Sequence, residues 1–233
     1  RSVSAFLLNR SSDLEMKEYR FHRSYSQYGE DLLLKGFLGD RWSWNYRGFY
    51  VDIGAHDPVN LSNTKKFYDV RWRGINVDAS SGAICKFKKN RRRDINVNVG
   101  IGKNPGELDY YVLSTTPMNT FSKEFAEAAI ASGKTSLVRI EKIPVMTMCA
   151  LLDKYLPKGQ SIDFVSIDCE GLDLDILESN DWCKYRPDFI LIEIHANGKN
   201  WEIPQGPVAR FLETVGYKLV GQCKVTSLFQ RIS

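Results

Sequence analysis

Four oxygen-bearing side chains stand at the ends of buried strands predicted from this sequence. They are Asp52, Asp78, Asn98 and Asp168. Parallel strands end at the same edge of a sheet, so these side chains are expected to meet in one ligand-binding crevice. The carboxylate of Asp78 can accept hydrogen bonds from both hydroxyls of an adenosine ribose. Taken alone, it is equally consistent with a carboxylate that caps the following helix.

The turn after the first predicted strand lies in the segment YVDIGAHDP, at residues 50–58. Gly54 and Ala55 allow the backbone to approach a ligand closely there. The segment lacks the later glycines of G-x-G-x-x-G, which seat a pyrophosphate at a helix N-terminus. It therefore speaks against NAD and is compatible with a phosphate-free cofactor such as S-adenosylmethionine (SAM). A plain strand-to-helix turn would show the same residues.

Three side chains are candidates for the base that methyl transfer to a hydroxyl requires. They are His195, Glu170 and His56. His195 follows a predicted strand and histidine titrates near neutral pH, so it is the first choice. The position of His195 is equally consistent with a structural histidine that hydrogen bonds hold in a loop. Glu170 could orient an acceptor or cap the next helix.

A metal-assisted mechanism stays open. Asp168, Glu193 and His195 could bind Mg²⁺ or a similar ion, which would lower the pKa of an acceptor hydroxyl. Glu193 alternates with isoleucines inside a predicted strand, so the pattern leaves its direction open. We assign no set of metal ligands.

The elements that must position these residues alternate between short apolar runs and helix-length segments. This alternation predicts an α/β fold with a mostly parallel sheet, because strands buried on both faces are nearly continuous in apolar residues. The five clearest strands are Gly48–Ile53, Gly74–Asp78, Asp94–Val99, Ile162–Asp168 and Asp188–Ile194.

Further elements complete this pattern. A helix is expected over Asn60–Trp72, and the last two runs, Tyr217–Cys223 and Ser227–Ile232, are joined too closely for a crossover helix. They should form an antiparallel hairpin at the sheet edge. After the third strand the pattern loosens into an insertion. It is expected to contain extra strands at Glu107–Leu113 and Lys142–Met146, a helix near Lys123–Ala131 and the irregular segment STTPMN at residues 114–119. We expect this insertion to cover the ligand crevice.

Composition excludes several classes of protein. The chain has 233 residues, 43% hydrophobic and 26% charged, as in ordinary soluble domains. No apolar run reaches the roughly 18 residues that span a bilayer. The five cysteines are widely spaced without a C-x-x-C pair, which argues against a zinc site or disulfide framework and suggests a reducing, cytoplasmic location.

One basic cluster accounts for most of the local charge asymmetry. Its members are Lys86, Lys88, Lys89, Arg91, Arg92 and Arg93. We interpret it chiefly as a solvated helix end, with a patch for an anionic partner as the alternative. No aromatic residues are interleaved along an extended basic face, which argues against nucleic-acid binding.

The chain resembles the FkbM-type SAM-dependent methyltransferases. The similar segments, in the family's order, are SQYGED (26–31), VDIGAHDP (51–58), SNTKKFYDVRWRGINVDAS (62–80), NVGIG (98–102), IDFVSIDCEGLDLDIL (162–177) and YRPDFILIEIH (185–195). The resemblance implies a Rossmann-like class I methyltransferase fold. It divides the chain into an N-terminal extension, residues 1–24, and a methyltransferase domain, residues 25–233.

The resemblance also implies roles for single residues. Asp52, Gly54 and Ala55 would line the methionine end of SAM, and Gln27 would close over the cofactor. Asp78 would hold the ribose, Ala79 would also belong to the cofactor site, and Asn98 and its neighbour Val99 would flank the adenine. Relatives vary at the position of His56, which puts a catalytic role there in doubt.

The acceptor that the resemblance implies is a small molecule or glycan, methylated on a sugar hydroxyl. Three alternatives remain open. They are a methyltransferase of another small metabolite, an inactive SAM-binding or glycan-binding module, and, least favoured, an NAD-dependent oxidoreductase. The sequence indicates no oligomeric state.

Overall fold

The computed structural model describes residues 23–169, 171–194 and 206–232. The candidate bases Glu170 and His195 lie outside these residues, as does most of the expected N-terminal extension. None of the helices in these ranges has the length and apolar character of a membrane span.

The core of the fold is a seven-stranded sheet with the strand order β3-β2-β1-β7-β8-β10-β9. Its strands are β1 (Phe49–Ile53), β2 (Arg73–Asp78), β3 (Ile95–Asn98), β7 (Phe164–Ile167), β8 (Phe189–Glu193), β9 (Tyr217–Cys223) and β10 (Thr226–Arg231). The first five run parallel, and β10 pairs antiparallel with both β8 and β9. The predicted Rossmann-like fold and its C-terminal hairpin are confirmed.

Both faces of the sheet are buried, which explains the continuous apolar runs. Successive side chains of a strand point to opposite faces. In β1, Val51 and Ile53 therefore join one hydrophobic cluster, whereas Tyr50 joins the other with Phe164 and Trp72.

Seven α-helices occur in the described ranges. They are α1 (Glu30–Leu38), α2 (Lys65–Asp69), α3 (Ser81–Asn90), α4 (Lys123–Ala131), α5 (Met148–Tyr155), α6 (Asp173–Glu178) and α7 (Pro207–Thr214). Helices α3, α4 and α5 begin with a serine or threonine whose side chain accepts a hydrogen bond from a backbone N–H in the first turn, as strong helix caps do.

The prediction of a helix over Asn60–Trp72 is wrong in its length, because only the short helix α2 (Lys65–Asp69) forms there. Asp57 accepts hydrogen bonds from the backbone N–H groups of Val59 and Asn60, and this turn competes with helix formation. Leu61 has a positive φ of 54°, which no helix residue adopts.

The insertion after β3 is confirmed as a second, three-stranded sheet. Its strands are β4 (Gly100–Ile101), β5 (Gly106–Leu113) and β6 (Leu137–Met146), in the order β4-β6-β5. Strands β5 and β6 are antiparallel, and α4 lies in the connection between them. Strand β6 begins five residues before the extra strand that the sequence suggests at Lys142–Met146.

One member of the basic cluster is not a solvated helix-end residue. Arg91 is fully buried and donates hydrogen bonds to the Pro58 carbonyl, the Tyr50 hydroxyl and the Ser62 hydroxyl. The Tyr50 hydroxyl in turn donates to Asp94. A buried guanidinium is tolerated because several acceptors surround it.

Candidate functional site

A pocket of about 470 Å³ opens at the carboxyl edge of the main sheet. The loops after β1, β2, β3 and β7 line one side, and the insertion lines the other. The predicted site residues among its lining are Gln27, Gly54, His56, Asp78, Ala79, Val99 and Asp168. The structure therefore brings most of the predicted cofactor residues into one cavity, as expected for a parallel sheet.

Gly54 allows two loops to cross at the floor of the pocket. Its φ is 81°, in the left-handed region, and a Cβ added there would lie 1.9 Å from the carbonyl oxygen of Asp168. Its N–H donates to the Val77 carbonyl, which ties the loops after β1 and β2 together. Only glycine fits this crossing without movement of the backbone.

Asp78 is held in a fixed orientation by the backbone. Its Oδ2 accepts a hydrogen bond of 2.8 Å from the N–H of His56, and its Oδ1 one of 2.7 Å from the N–H of Ser80. Burial raises the pKa of this carboxyl, and the two N–H groups partly oppose that rise. His56 adopts a left-handed φ of 53°, so the loop after β1 folds around the carboxylate.

Asn98 does not line the pocket but supports it. Its Nδ2 donates to the carbonyl oxygens of Asp78, at 2.9 Å, and Ala79, at 2.8 Å. Its neighbour Val99 is buried and lines the cavity together with Ala79. The amide therefore holds the loop after β2 against the end of β3.

Asp52 and Ala55 are also absent from the pocket lining. Both are buried, and the Asp52 carboxylate accepts a hydrogen bond of 2.7 Å from the hydroxyl of Thr64. The backbone N–H of Ala55 donates to the Val77 carbonyl. These residues hold the turn around Gly54 from behind.

Replacing Asp52 with asparagine is expected to change how stability depends on pH. Burial raises the pKa of Asp52 from the ordinary 3.8 to about 6, only partly opposed by the hydrogen bond from Thr64. The folded state therefore favours the protonated carboxyl, so its contribution to wild-type stability is full below pH 3.8 and lost as the pH rises through about 6. Asparagine cannot ionise, so the variant should gain at most about 3 kcal/mol over the wild type near neutral pH.

Urea unfolding of both proteins from acidic to mildly alkaline pH measures this difference. Asp153→Asn is the control of opposite sign, because hydrogen bonds from Lys184 and Tyr185 lower the pKa of the exposed Asp153. Its ionised form stabilises the fold above the unfolded pKa, and this contribution is lost as the pH falls. A stability difference for Asp52→Asn that did not vary with pH would contradict the assignment.

The insertion contributes an aromatic pair that the sequence did not single out. Tyr110 and Phe121 both line the pocket, with ring centroids 4.8 Å apart. A Cβ added to Gly100 would lie 2.6 Å from the Phe121 ring, so this ring lies directly over the backbone that follows Val99. Burial, followed by the nearby charge of Asp78, raises the pKa of Tyr110. The phenol therefore stays neutral beside the carboxylate.

The pocket lining also includes acidic and polar groups. Asp168, Cys169, Glu193 and Gln27 line it. Burial raises the pKa of the Cys169 thiol well above its usual range, which disfavours the reactive thiolate. In the part of the chain that the structure describes, no three histidine, cysteine, aspartate or glutamate side chains group as a metal site. The metal hypothesis involves His195, which lies outside that part.

Gln27 is placed by the two carboxylates of the SQYGED segment. Asp31 is fully buried and accepts hydrogen bonds from the hydroxyls of Ser24 and Ser26. Glu30 accepts one from the N–H of Tyr28 and one from Thr226, beside the end of β8. The segment therefore holds the loop that contains Gln27 against the sheet.

The chain is similar to two solved methyltransferase structures. The TehB-like SAM-dependent methyltransferase from Corynebacterium glutamicum is 12% identical, with a TM-score of 0.44 over 98% of both chains. The 1,6-didemethyltoxoflavin-N1-methyltransferase from Burkholderia thailandensis is 12% identical, with a TM-score of 0.43 over 99% of this chain and 87% of that chain. No curated protein sequence matches the chain.

A sequence model described as the methyltransferase FkbM domain matches residues 52–219. The match begins near the end of β1 and ends in β9, so it includes every strand from β2 to β8 and more than half of the chain. The chain therefore belongs to the FkbM family of SAM-dependent methyltransferases.

Proposed function

We propose that this enzyme transfers the methyl group of SAM to a hydroxyl group of a sugar or glycoconjugate. The observation that carries the proposal is the orientation of the Asp78 carboxylate, which two backbone N–H groups direct into the pocket. The floor of this pocket is the loop crossing at Gly54, and the loop lacks the glycine motif that binds a pyrophosphate. This arrangement suits an adenosine that carries no phosphates.

The pocket residues fit such a cofactor. A carboxylate offers about four acceptor sites, and backbone groups occupy two of those of Asp78, which leaves acceptors for both ribose hydroxyls. Ala79, Val99 and the ring of Phe121 form an apolar slot for the adenine. Gly54 and Asp168 border the remaining space, where the methionine end would lie.

Bound SAM supplies an electrophilic methyl group on its sulfonium. The chain must align an acceptor oxygen with that group, and such positioning can contribute about 7–11 kcal/mol to lowering the barrier. A base must also take the hydroxyl proton. We propose His195 for this role, with Glu170 as the second candidate. His56 is less suited, because its backbone is tied to the ribose side of the pocket.

The acceptor side supports a polyhydroxylated substrate. Thr116, Asn119 and Thr120 from the insertion line the pocket, as do Gln27 and Glu193. Hydroxyl and amide groups can both donate to and accept from sugar hydroxyls, and a carboxylate can accept from them. The match of these groups to a glycan is the reason to prefer it over an apolar metabolite.

Two further assignments accompany this proposal. Residues 25–233 would form the methyltransferase domain, with residues 1–24 as an extension. The location would be cytoplasmic, because all five cysteines are free thiols and proteins of reducing compartments rarely form disulfides.

Replacing Phe121 with alanine is expected to weaken SAM binding about tenfold, because stacking of a base on an aromatic ring contributes roughly 1–3 kcal/mol. Calorimetric titration measures the dissociation constant. Phe37→Ala is the matched control, since Phe37 is exposed and does not line the pocket. If the two variants bound SAM with equal affinity, the assignment of Phe121 to the adenine slot would be contradicted.

The experiment that tests the proposed function follows transfer of a radiolabelled methyl group from SAM to a panel of sugars, oligosaccharides and nucleotide sugars. Label in a base-stable ether on one of them is the expected result. His195→Ala should bind SAM as the wild type does but lose most of the turnover, about a hundredfold or more. SAM binding without transfer to any hydroxyl, or transfer to nitrogen only, would overturn the proposal.

A further inference from the structure

Strand β6 has two unequal edges. Strand β5 pairs with it along nearly its whole length, from Leu137 to Val145. On the other edge, β4 pairs only with Val145 and Met146. Among the described residues no strand pairs with β6 from Leu137 to Pro144 on that side. An edge of this kind presents unpaired N–H and C=O groups to a partner.

The open stretch also carries apolar side chains in solvent. Leu137, Val138 and Ile140 are 46%, 55% and 50% exposed. These three residues lie within four positions of the chain. Because side chains alternate along a strand, both faces of β6 expose apolar surface here. Natural edge strands avoid exposed apolar residues because these promote pairing with another chain.

We infer that this edge pairs with the same edge of a second copy, as two antiparallel β6 strands centred on Ile140. In this register, Arg139 of each copy lies opposite Glu141 of the other. Leu137 lies opposite Ile143, and Val138 opposite the aliphatic stem of Lys142. A two-fold axis makes every contact occur twice, as in most homodimers.

Charge selects this register over its neighbours. Arg139 and Glu141 already form an ion pair within the strand, so self-pairing at Ile140 places four charges of alternating sign next to one another. A shift centred on Arg139 or on Glu141 would bring two like charges face to face. Like charges directly opposite destabilise strand pairing.

The proposal is independent of the methyl-transfer reaction, because Arg139, Ile140 and Glu141 are not among the residues that line the pocket. Loss of activity and loss of the dimer can therefore be measured separately.

Sedimentation velocity of the full chain at rising concentration tests the proposal. The wild type is expected to reach twice the mass of one chain. Arg139→Glu and Glu141→Arg should each weaken association about tenfold or more, because two cross-strand pairs become repulsive. The double variant, Arg139→Glu with Glu141→Arg, should restore it. A monomeric wild type, or a dimer that none of these changes weakens, would overturn the inference.

Cysteine crosslinking tests the register. Two residues that face each other in an antiparallel pair have Cα atoms about 4.5–5.5 Å apart, within disulfide range. Ile140→Cys should therefore give a reducible covalent dimer under mild oxidation, whereas Lys142→Cys, which would face Val138, should not. Crosslinking of both variants to the same extent would contradict the proposed register.

Discussion

Replacing Gly54 with alanine is expected to lower SAM affinity about a thousandfold and to lower the free energy of unfolding by about 3 kcal/mol. The added Cβ would lie 1.9 Å from the carbonyl oxygen of Asp168 and 2.9 Å from its carbonyl carbon. Both atoms belong to the backbone directly after β7, so neither can move aside as a flexible side chain would. The crossing must open, which displaces Asp168 from the pocket wall.

Gly159→Ala separates the clash from backbone strain. Gly159 has a φ of 76°, close to the 81° of Gly54, but a Cβ there would meet nothing within 4 Å. This variant should therefore lose only the roughly 1–2 kcal/mol that a left-handed alanine costs and should bind SAM normally. Calorimetric titration and urea unfolding of both variants give the comparison. Equal losses in the two proteins would show that the crossing is not the cause.

The sheet could be predicted because its strands are short and buried on both faces. In β1 and β8 the apolar run itself marks the strand to within one residue of its observed ends. The segment before α2 could not be predicted in the same way. The sequence suggests a helix from Asn60 onward, but the turn at Asp57 and the left-handed backbone of Leu61 prevent a helix from forming before Lys65. Such a local competition leaves no trace in hydrophobic periodicity.

The candidate site was predictable where it depends on strand ends and not where it depends on the insertion. Asp78 and Gly54 follow buried strands, so the parallel sheet brings them together. Tyr110 reaches the pocket because β5 pairs with β6 across a connection of more than 20 residues. Phe121 lies in that connection, next to the bridge between Tyr111 and Thr120, and no local pattern predicts either pairing. The one signal in the sequence is the glycine at position 100. A residue without a side chain directly after Val99 could have suggested that another side chain, here the Phe121 ring, packs against the backbone there.

Polar residues at strand ends divide into those that line the pocket and those that hold its loops. The pattern cannot distinguish the two, because Asp52, Asp78 and Asn98 all follow apolar residues in β-strands. Alternation along a strand decides the direction of each side chain only relative to its neighbours. The Asp52 carboxylate accepts a hydrogen bond from the hydroxyl of Thr64, and the Asn98 side-chain amide donates hydrogen bonds to the carbonyl groups of Asp78 and Ala79. Asp78 is the one of these three that lines the pocket.

Asp78 holds the loops after β1 and β2, and in the proposed function it also binds the ribose of SAM, so its replacement should affect both stability and affinity. Asp78→Ala is expected to lower SAM affinity about a thousandfold, because two charge-assisted hydrogen bonds to the ribose contribute roughly 1.5–3 kcal/mol each. It also leaves the N–H groups of His56 and Ser80 without their acceptor, which should lower stability by about 1–3 kcal/mol.

The two effects can be separated by replacing Asp78 and Asn98 independently. Asn98→Ala removes two hydrogen bonds that hold the same loop but no group that lines the pocket, so it should lower stability while changing SAM affinity less than about tenfold. Asp78→Asn keeps one acceptor oxygen and should lie between the wild type and Asp78→Ala in affinity. Calorimetric titration with SAM, combined with thermal unfolding without ligand, measures both quantities for each variant. If Asn98→Ala lost as much affinity as Asp78→Ala, the carboxylate would act on the loop alone, and the ribose would bind elsewhere in the pocket.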